Sequence, residues 1–233
     1  FEDLAMTDGS AALSVENGIF QITNVTGNGQ INVQEKGQLT IANKASAGDV
    51  VNKGVLTANT VNTQIGGTAS VATMADGDQN HFETFTNEKG GEANFADVSI
   101  TEGANVKNKA EGTINAGAVV LNGGAVITNF KDGTLNFDTF EMNGTLRNNG
   151  TINVTSEMTL AEGTSTTLAG KVTAGTLSIG RAAQKALPAS IALMTEPQTS
   201  AEITGETYSA VLDLAGGDVF VRKGAILAGV ELK

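Results

Sequence analysis

The sequence predicts an all-β chain folded as a right-handed parallel β-helix: a three-sided β-solenoid with coils of about 20 residues and a less regular C-terminal β cap. Three observations carry this expectation. A short pattern returns behind regularly placed glycines. Within each copy apolar and polar residues alternate, as they do on a strand with one buried face. The composition of 29 Gly, 2 Pro, no Cys or Trp and 4% aromatics, with 40% hydrophobic residues in short runs, suits strands joined by tight turns.

The stack opens with Gly18-Ile19-Phe20-Gln21-Ile22 and Gly29-Gln30-Ile31-Asn32-Val33. The repeat is clearest after Gly112 (Thr113-Ile114-Asn115-Ala116), Gly133 (Thr134-Leu135-Asn136-Phe137) and Gly150 (Thr151-Ile152-Asn153-Val154). Weaker copies follow Gly37 (Gln38-Leu39-Thr40-Ile41), Gly54 (Val55-Leu56-Thr57-Ala58), Gly91 (Glu92-Ala93-Asn94-Phe95) and Gly170 (Lys171-Val172-Thr173-Ala174). In chain order these glycines are separated by 17, 37, 21, 21, 17 and 20 residues, by subtraction of their numbers. The 37-residue interval reads as two turns with a degenerate copy between them. Residues 68–90, with Met74-Ala75-Asp76-Gly77-Asp78 and His81, read as an irregular insertion.

A second mark, at Gly103, Gly124, Gly144 and Gly163, divides each coil again. Val98-Ser99-Ile100, Val119-Val120-Leu121, Phe140-Glu141-Met142 and Met158-Thr159-Leu160 lie before it, and Ala104-Asn105-Val106, Ala125-Val126-Ile127 and Thr145-Leu146 after it. Three strand-like pieces per coil make a three-sided solenoid. The second and fourth residues behind the first mark are apolar in every copy, so they are expected to point inward. Glycine and asparagine at the corners are expected to supply positive φ. A helix is disfavoured, since no stretch holds a 3.6-residue apolar period. After Gly180, Arg181–Leu187 reads as a short helix before Pro188, and Pro197 as a turn. Residues 208–214, 218–222 and 225–232 then alternate like strands. The organisation expected is coils over 1–180 and further coils or a capping segment over 181–233.

The formal net charge of −11 comes with no basic patch, which argues against nucleic acid and anionic lipid as partners. Without cysteine there is no disulfide, thiolate or Cys-based metal chemistry. No apolar run approaches the roughly 18–20 residues of a membrane span. A start at Phe1-Glu2-Asp3, with neither initiator Met nor signal peptide, reads as a fragment or a processed form.

The coils rich in Asn, Gly and Thr, such as Arg147-Asn148-Asn149-Gly150-Thr151-Ile152-Asn153-Val154 followed by Leu160-Ala161-Glu162-Gly163, resemble passenger-domain repeats of bacterial autotransporters and related β-helical adhesins. The likeness covers roughly residues 18–180 and rests on motifs general to β-solenoids. It implies an outer-surface stalk or adhesin of a Gram-negative bacterium, with a membrane-embedded β-barrel downstream of the stretch seen here.

His81, the only histidine, is expected on a surface loop rather than in catalysis or metal binding. Asp76 and Asp78 are spaced like oxygen ligands, yet an Asp-Gly turn explains them better. Glu111 and Asp132 hold equivalent positions in consecutive coils, with Lys109 and Lys131 close enough in sequence to compensate them. The most regular exposed feature is an outward ladder of Asn94, Thr113, Asn115, Thr134, Asn136, Thr151 and Asn153. It suits a polysaccharide or ordered water, although stacked Asn and Thr also bond along a solenoid for structural reasons. No nucleophile elbow, phosphate loop, metalloprotease helix motif or calcium-loop spacing occurs.

The first functional expectation is therefore a non-enzymatic extracellular or cell-surface solenoid, acting as stalk or contact surface with no cofactor and no metal. Its partners would be a host or neighbouring-cell surface, through glycan or protein, or copies of itself. The alternatives are a phage tailspike-like or polysaccharide-cleaving β-helix, and an ice- or polysaccharide-binding module. Clustered carboxylates serve the cleaving enzymes.

Overall fold

The computed structural model describes residues 1–67, 79–161, 164–180, 200–214 and 218–232. In chain order the strands are Asp3–Met6 (β1), Ala12–Gly27 (β2), Gln30–Asn52 (β3), Val55–Ala58 (β4), Asn62–Ile65 (β5), Gln79–Asn87 (β6), Glu92–Phe95 (β7), Val98–Ile100 (β8), Asn105–Asn108 (β9) and Thr113–Leu121 (β10). They continue as Val126–Asn129 (β11), Thr134–Met142 (β12), Thr145–Asn148 (β13), Thr151–Leu160 (β14), Ser165–Leu168 (β15), Lys171–Ile179 (β16), Ser200–Ile203 (β17), Glu206–Asp213 (β18), Asp218–Val221 (β19) and Ile226–Leu232 (β20). No helix of the described residues is long and apolar enough to cross a membrane.

All the pairings are parallel, and the strands stack as a β-solenoid of about nine turns. Each coil crosses three faces. On the first, Leu39, Leu56, Ala93, Ile114, Leu135, Ile152 and Val172 occupy one column, each paired with the equivalent residue of the next coil. All seven are buried, so the inward set expected from the alternation is the observed core. Of the second inward set only Ala116 is partly buried. Stacking puts these side chains in unbroken contact along the axis, and each fully buried Leu or Ile contributes about 1.5–3 kcal/mol. The second face carries β8, the ends of β10 and β12, and their equivalents; the third carries β9, β11 and β13. Beyond Gly180 the coils continue, with β18 pairing β16 and β20 pairing β18. The helix expected at Arg181–Leu187, with Pro188 and Pro197, lies outside the described residues.

The 37-residue interval is one coil, not two. Val55 pairs directly with Glu92, so no degenerate copy lies between Gly54 and Gly91 on the first face. The extra length serves the second face instead. There β6 inserts between β3 and β5: Phe82 pairs with Ala47 on one side and with Ile65 on the other. Strand β5 then pairs onward with β8. Two adjacent parallel strands in sequence need a crossover of a dozen or more residues, and 13 separate Ile65 from Gln79. The part of the expected irregular insertion that is described is therefore ordinary strand from Gln79 to Asn87. Phe82 and Phe85 fill this wider coil and both meet the Phe95 ring, with centroids 6.4 and 5.2 Å away.

At the corners the sequence expectation holds for glycine and not for asparagine. Positive φ is found at Gly103 (80°) and Gly124 (78°) of the second glycine mark and at Gly170 (64°) of the first, and in the corner before the first mark at Glu111 (61°) and Asp132 (65°). No asparagine has it among the described residues. The first mark requires glycine for space: a Cβ on Gly112 or Gly133 would stand 2.6 Å from the side-chain oxygen of Asn108 or Asn129.

Neighbouring residues of one turn should thus respond with opposite sign. Gly133→Ala is expected to cost about 1–3 kcal/mol by overpacking. Asp132→Gly relieves a left-handed backbone and is expected to leave stability unchanged or raise it by up to about 1 kcal/mol. Urea midpoints at constant slope read both effects; a loss for Asp132→Gly as large as that for Gly133→Ala would contradict this account of the corner.

Candidate functional site

The exposed ladder expected from the sequence exists on the first face. Asn94, Asn115, Asn136 and Asn153 form one column, and Thr113, Thr134 and Thr151 form the column two residues before. All seven are partly exposed. The amides bond to one another: Asn115 donates to Asn94 at 2.8 Å, Asn136 to Asn115 at 2.8 Å and Asn153 to Asn136 at 2.9 Å. At the base of the column Asn94 donates to the Glu92 carboxylate at 3.1 Å. Above it the column continues as Thr173 and Tyr208. The charge of Glu206, first, then burial and a hydrogen bond push the Tyr208 hydroxyl above its ordinary range. The array is flat and polar, with much of its amide capacity directed along the axis.

A second amide ladder, absent from the sequence reading, lies inside the corner between the third and first faces. Asn52, Asn87, Asn108, Asn129 and Asn148 stack in register on β3, β6, β9, β11 and β13 and are all buried. Each Nδ2 donates to the next Oδ1 at 2.8–2.9 Å, from Asn52 up to Asn148. Each also crosses the corner: Asn108, for example, donates to the Gly112 carbonyl at 3.0 Å and the Thr134 carbonyl at 3.1 Å. Donation runs toward the C-terminal coils here and toward the N-terminal coils in the outer ladder. The lowest acceptor, Asn52 Oδ1, is buried with no donor among the described residues. The coil below supplies Val33 at that place, its carbonyl taking the Lys53 amide. An Asn four residues before the first glycine mark, at 87/91, 108/112 and 129/133, is the sequence signal that would have revealed this column.

Above Asn148 the column changes to Leu168 and Ile203, and there the third face divides. Strands β15, β17 and β19 form a sheet of their own, separate from the 17-stranded sheet that holds β13. One end of the division stays closed, since Asn148 Nδ2 reaches the Ala169 carbonyl at 2.6 Å. The rest opens as a groove of about 680 Å³, lined by Arg147 and Thr145 on one side and by Ser165, Thr167, Ser200, Glu202, Phe220 and Arg222 on the other. Arg222 folds back onto Glu202 as an ion pair. That hydrogen bond, with the carboxylate's charge, holds the guanidinium above its ordinary pKa.

The remaining sequence candidates fall as follows. His81 is not on a surface loop: it is a buried residue of β6, its Nε2 2.8 Å from the Gly66 carbonyl. Burial of the inserted strand is what brings it in. Glu111 pairs with Lys89 at 3.3 Å rather than with Lys109, whose ammonium rests 4.7 Å from the Phe130 ring centroid. Asp76 and Asp78 lie outside the described residues. Among the described residues no three acidic or imidazole side chains gather in a metal-binding arrangement.

The two ladders should differ sharply in weight. Asn108→Ala removes a buried link and strands its neighbours' polar groups, an expected cost of about 2–3 kcal/mol. Asn115→Ala on the exposed ladder should cost no more than about 1 kcal/mol, because water replaces the lost partner. Equal losses in urea denaturation would contradict the distinction. Comparison with protein-family models, curated proteins and solved structures gives no match for this chain.

Proposed function

We propose that this chain is a structural and adhesive solenoid of an extracellular or cell-surface protein, serving as a stalk and contact surface without catalysis. The observation that carries this reading is the direction of its polar bonding. Both amide ladders run along the axis and tie each coil to the next, and the inner one also pins the third face to the first through the corner. Polar capacity that an enzyme would aim into a cleft is spent here on coil-to-coil register. Such bonding supports a stiff rod with long, flat, polar sides, repeating at roughly 4.8 Å per coil. A surface of this kind meets an extended polymer or another cell surface along its length. The resemblance of its coils to autotransporter passenger repeats agrees with that use.

A glycan-array screen with the purified chain, followed by reducing-end assays on every glycan retained, tests the proposal. Retention without release of reducing ends is the expected result. Release of reducing ends from a retained glycan would overturn the non-catalytic reading.

A further inference from the structure

We propose that the groove between β13 and β15 binds an acidic oligosaccharide, whose carboxylate is taken by Arg147. This rests on the contact-surface reading and gives it a place and a ligand class.

The place is set by the break in the third face. Elsewhere on that face parallel ladders close each step between coils, whereas β13 and β15 belong to different sheets. The opening has a volume of about 680 Å³, within the roughly 300–1,000 Å³ typical of ligand sites. It is a groove rather than a strand slot, because Asn148 still reaches across to Ala169 at one end.

The chemistry follows from the outward side chains. In register across the upper sheet stand Thr167, Glu202 and Phe220, with Ser165 one row away. Arg147 faces them from β13. Among the described residues Arg222 has Glu202 as its ion-pair partner, while Arg147 has none. In a chain of net charge −11, an exposed guanidinium free to form a bidentate pair is a local site for one carboxylate. Phe220 is 53% exposed and offers an apolar platform to the C–H face of a sugar ring. Thr167, Ser165 and Glu202 supply donors and acceptors for ring hydroxyls. A neutral glycan would leave Arg147 unmatched, and a simple apolar anion would leave the hydroxyl rows unused. Two ladder steps separate Thr167 from Phe220, and the unpaired step separates Thr167 from Arg147, so the ligand is extended over a few sugar rings.

The test is calorimetric titration of the whole chain with trigalacturonic acid and with sialyllactose, using lactose and a Glu-rich peptide as controls. At least one acidic sugar should bind, and more weakly as salt rises. Arg147→Gln should weaken it by at least about tenfold, with Arg147→Lys retaining part of the affinity. Phe220→Ala should weaken it as well, and Thr134→Tyr on the first face should leave it unchanged. Circular dichroism identifies any variant that fails to fold, and the two groove positions serve as independent checks. No binding of either acidic probe, equal binding of lactose or the peptide, or indifference to both groove substitutions in folded protein would overturn the proposal. Sugar binding abolished by Thr134→Tyr alone would remove the groove while leaving the contact-surface reading in place. Cleavage of a bound acidic probe that depends on Arg147 would support the groove and remove only the non-catalytic reading.

Discussion

The structure depends on a row of buried asparagine amides. A parallel solenoid satisfies its backbone by stacking, but stacking alone does not fix where one face stops and the next begins. The column from Asn52 to Asn148 does this. Each amide below Asn148 reaches up to its equivalent one coil on and across to a carbonyl at the start of the first face. In a dry interior such bonds are strong when complete, and a missing one is costly. Glycine at Gly91, Gly112 and Gly133 follows from this requirement, since Cβ there would strike the amide oxygen, whereas at Gly37, Gly54, Gly150 and Gly170 it would strike a backbone carbonyl of the neighbouring coil. The repeat visible in the sequence is thus in part the trace of a polar ladder inside the protein.

The same ladder organises the two irregular places in the stack. The inserted strand β6 breaks the order of the second face, yet it delivers Asn87 above Asn52, so the column passes through without a gap. The wider coil is sealed by buried polar contacts: Asn80 accepts the Ala45 amide at 2.9 Å and donates to Thr63 at 3.1 Å. At the other end the column stops at Asn148, and the third face splits one coil later. Leu168 and Ile203 pack into the same corner but give no directional bond to hold it. The groove lies where specification by amides passes to packing alone.

Much of the fold was legible in the sequence because alternation and glycine spacing report directly on faces and corners. Thr134-Leu135-Asn136-Phe137 shows an outward and an inward pair at sight, and both lie as expected. What was not legible depended on depth. Asn108 and Asn115 look alike in composition, yet one is buried in a corner and the other lies on a face, and only the coil's three-sided path separates them. The 37-residue interval has two geometric solutions, and spacing cannot choose between an extra coil and an extra strand. The sequence around His81 breaks the repeat and so reads as exposed; pairing with Ser46 and Gln64 buries it. The groove was invisible because it arises from a pairing that does not form between two otherwise regular repeats.

The most direct test of the central claim is hydrogen exchange of the side-chain amides by NMR. If the corner column is a continuous buried ladder, the Nδ2 protons of Asn87, Asn108 and Asn129 exchange as slowly as the backbone amides of β10 and β12. Those of Asn115 and Asn136, bonded in an equally regular but exposed ladder, exchange much faster. Equal exchange from the two sets would contradict the account, because the corner amides would then be open to water and unable to hold the coils in register.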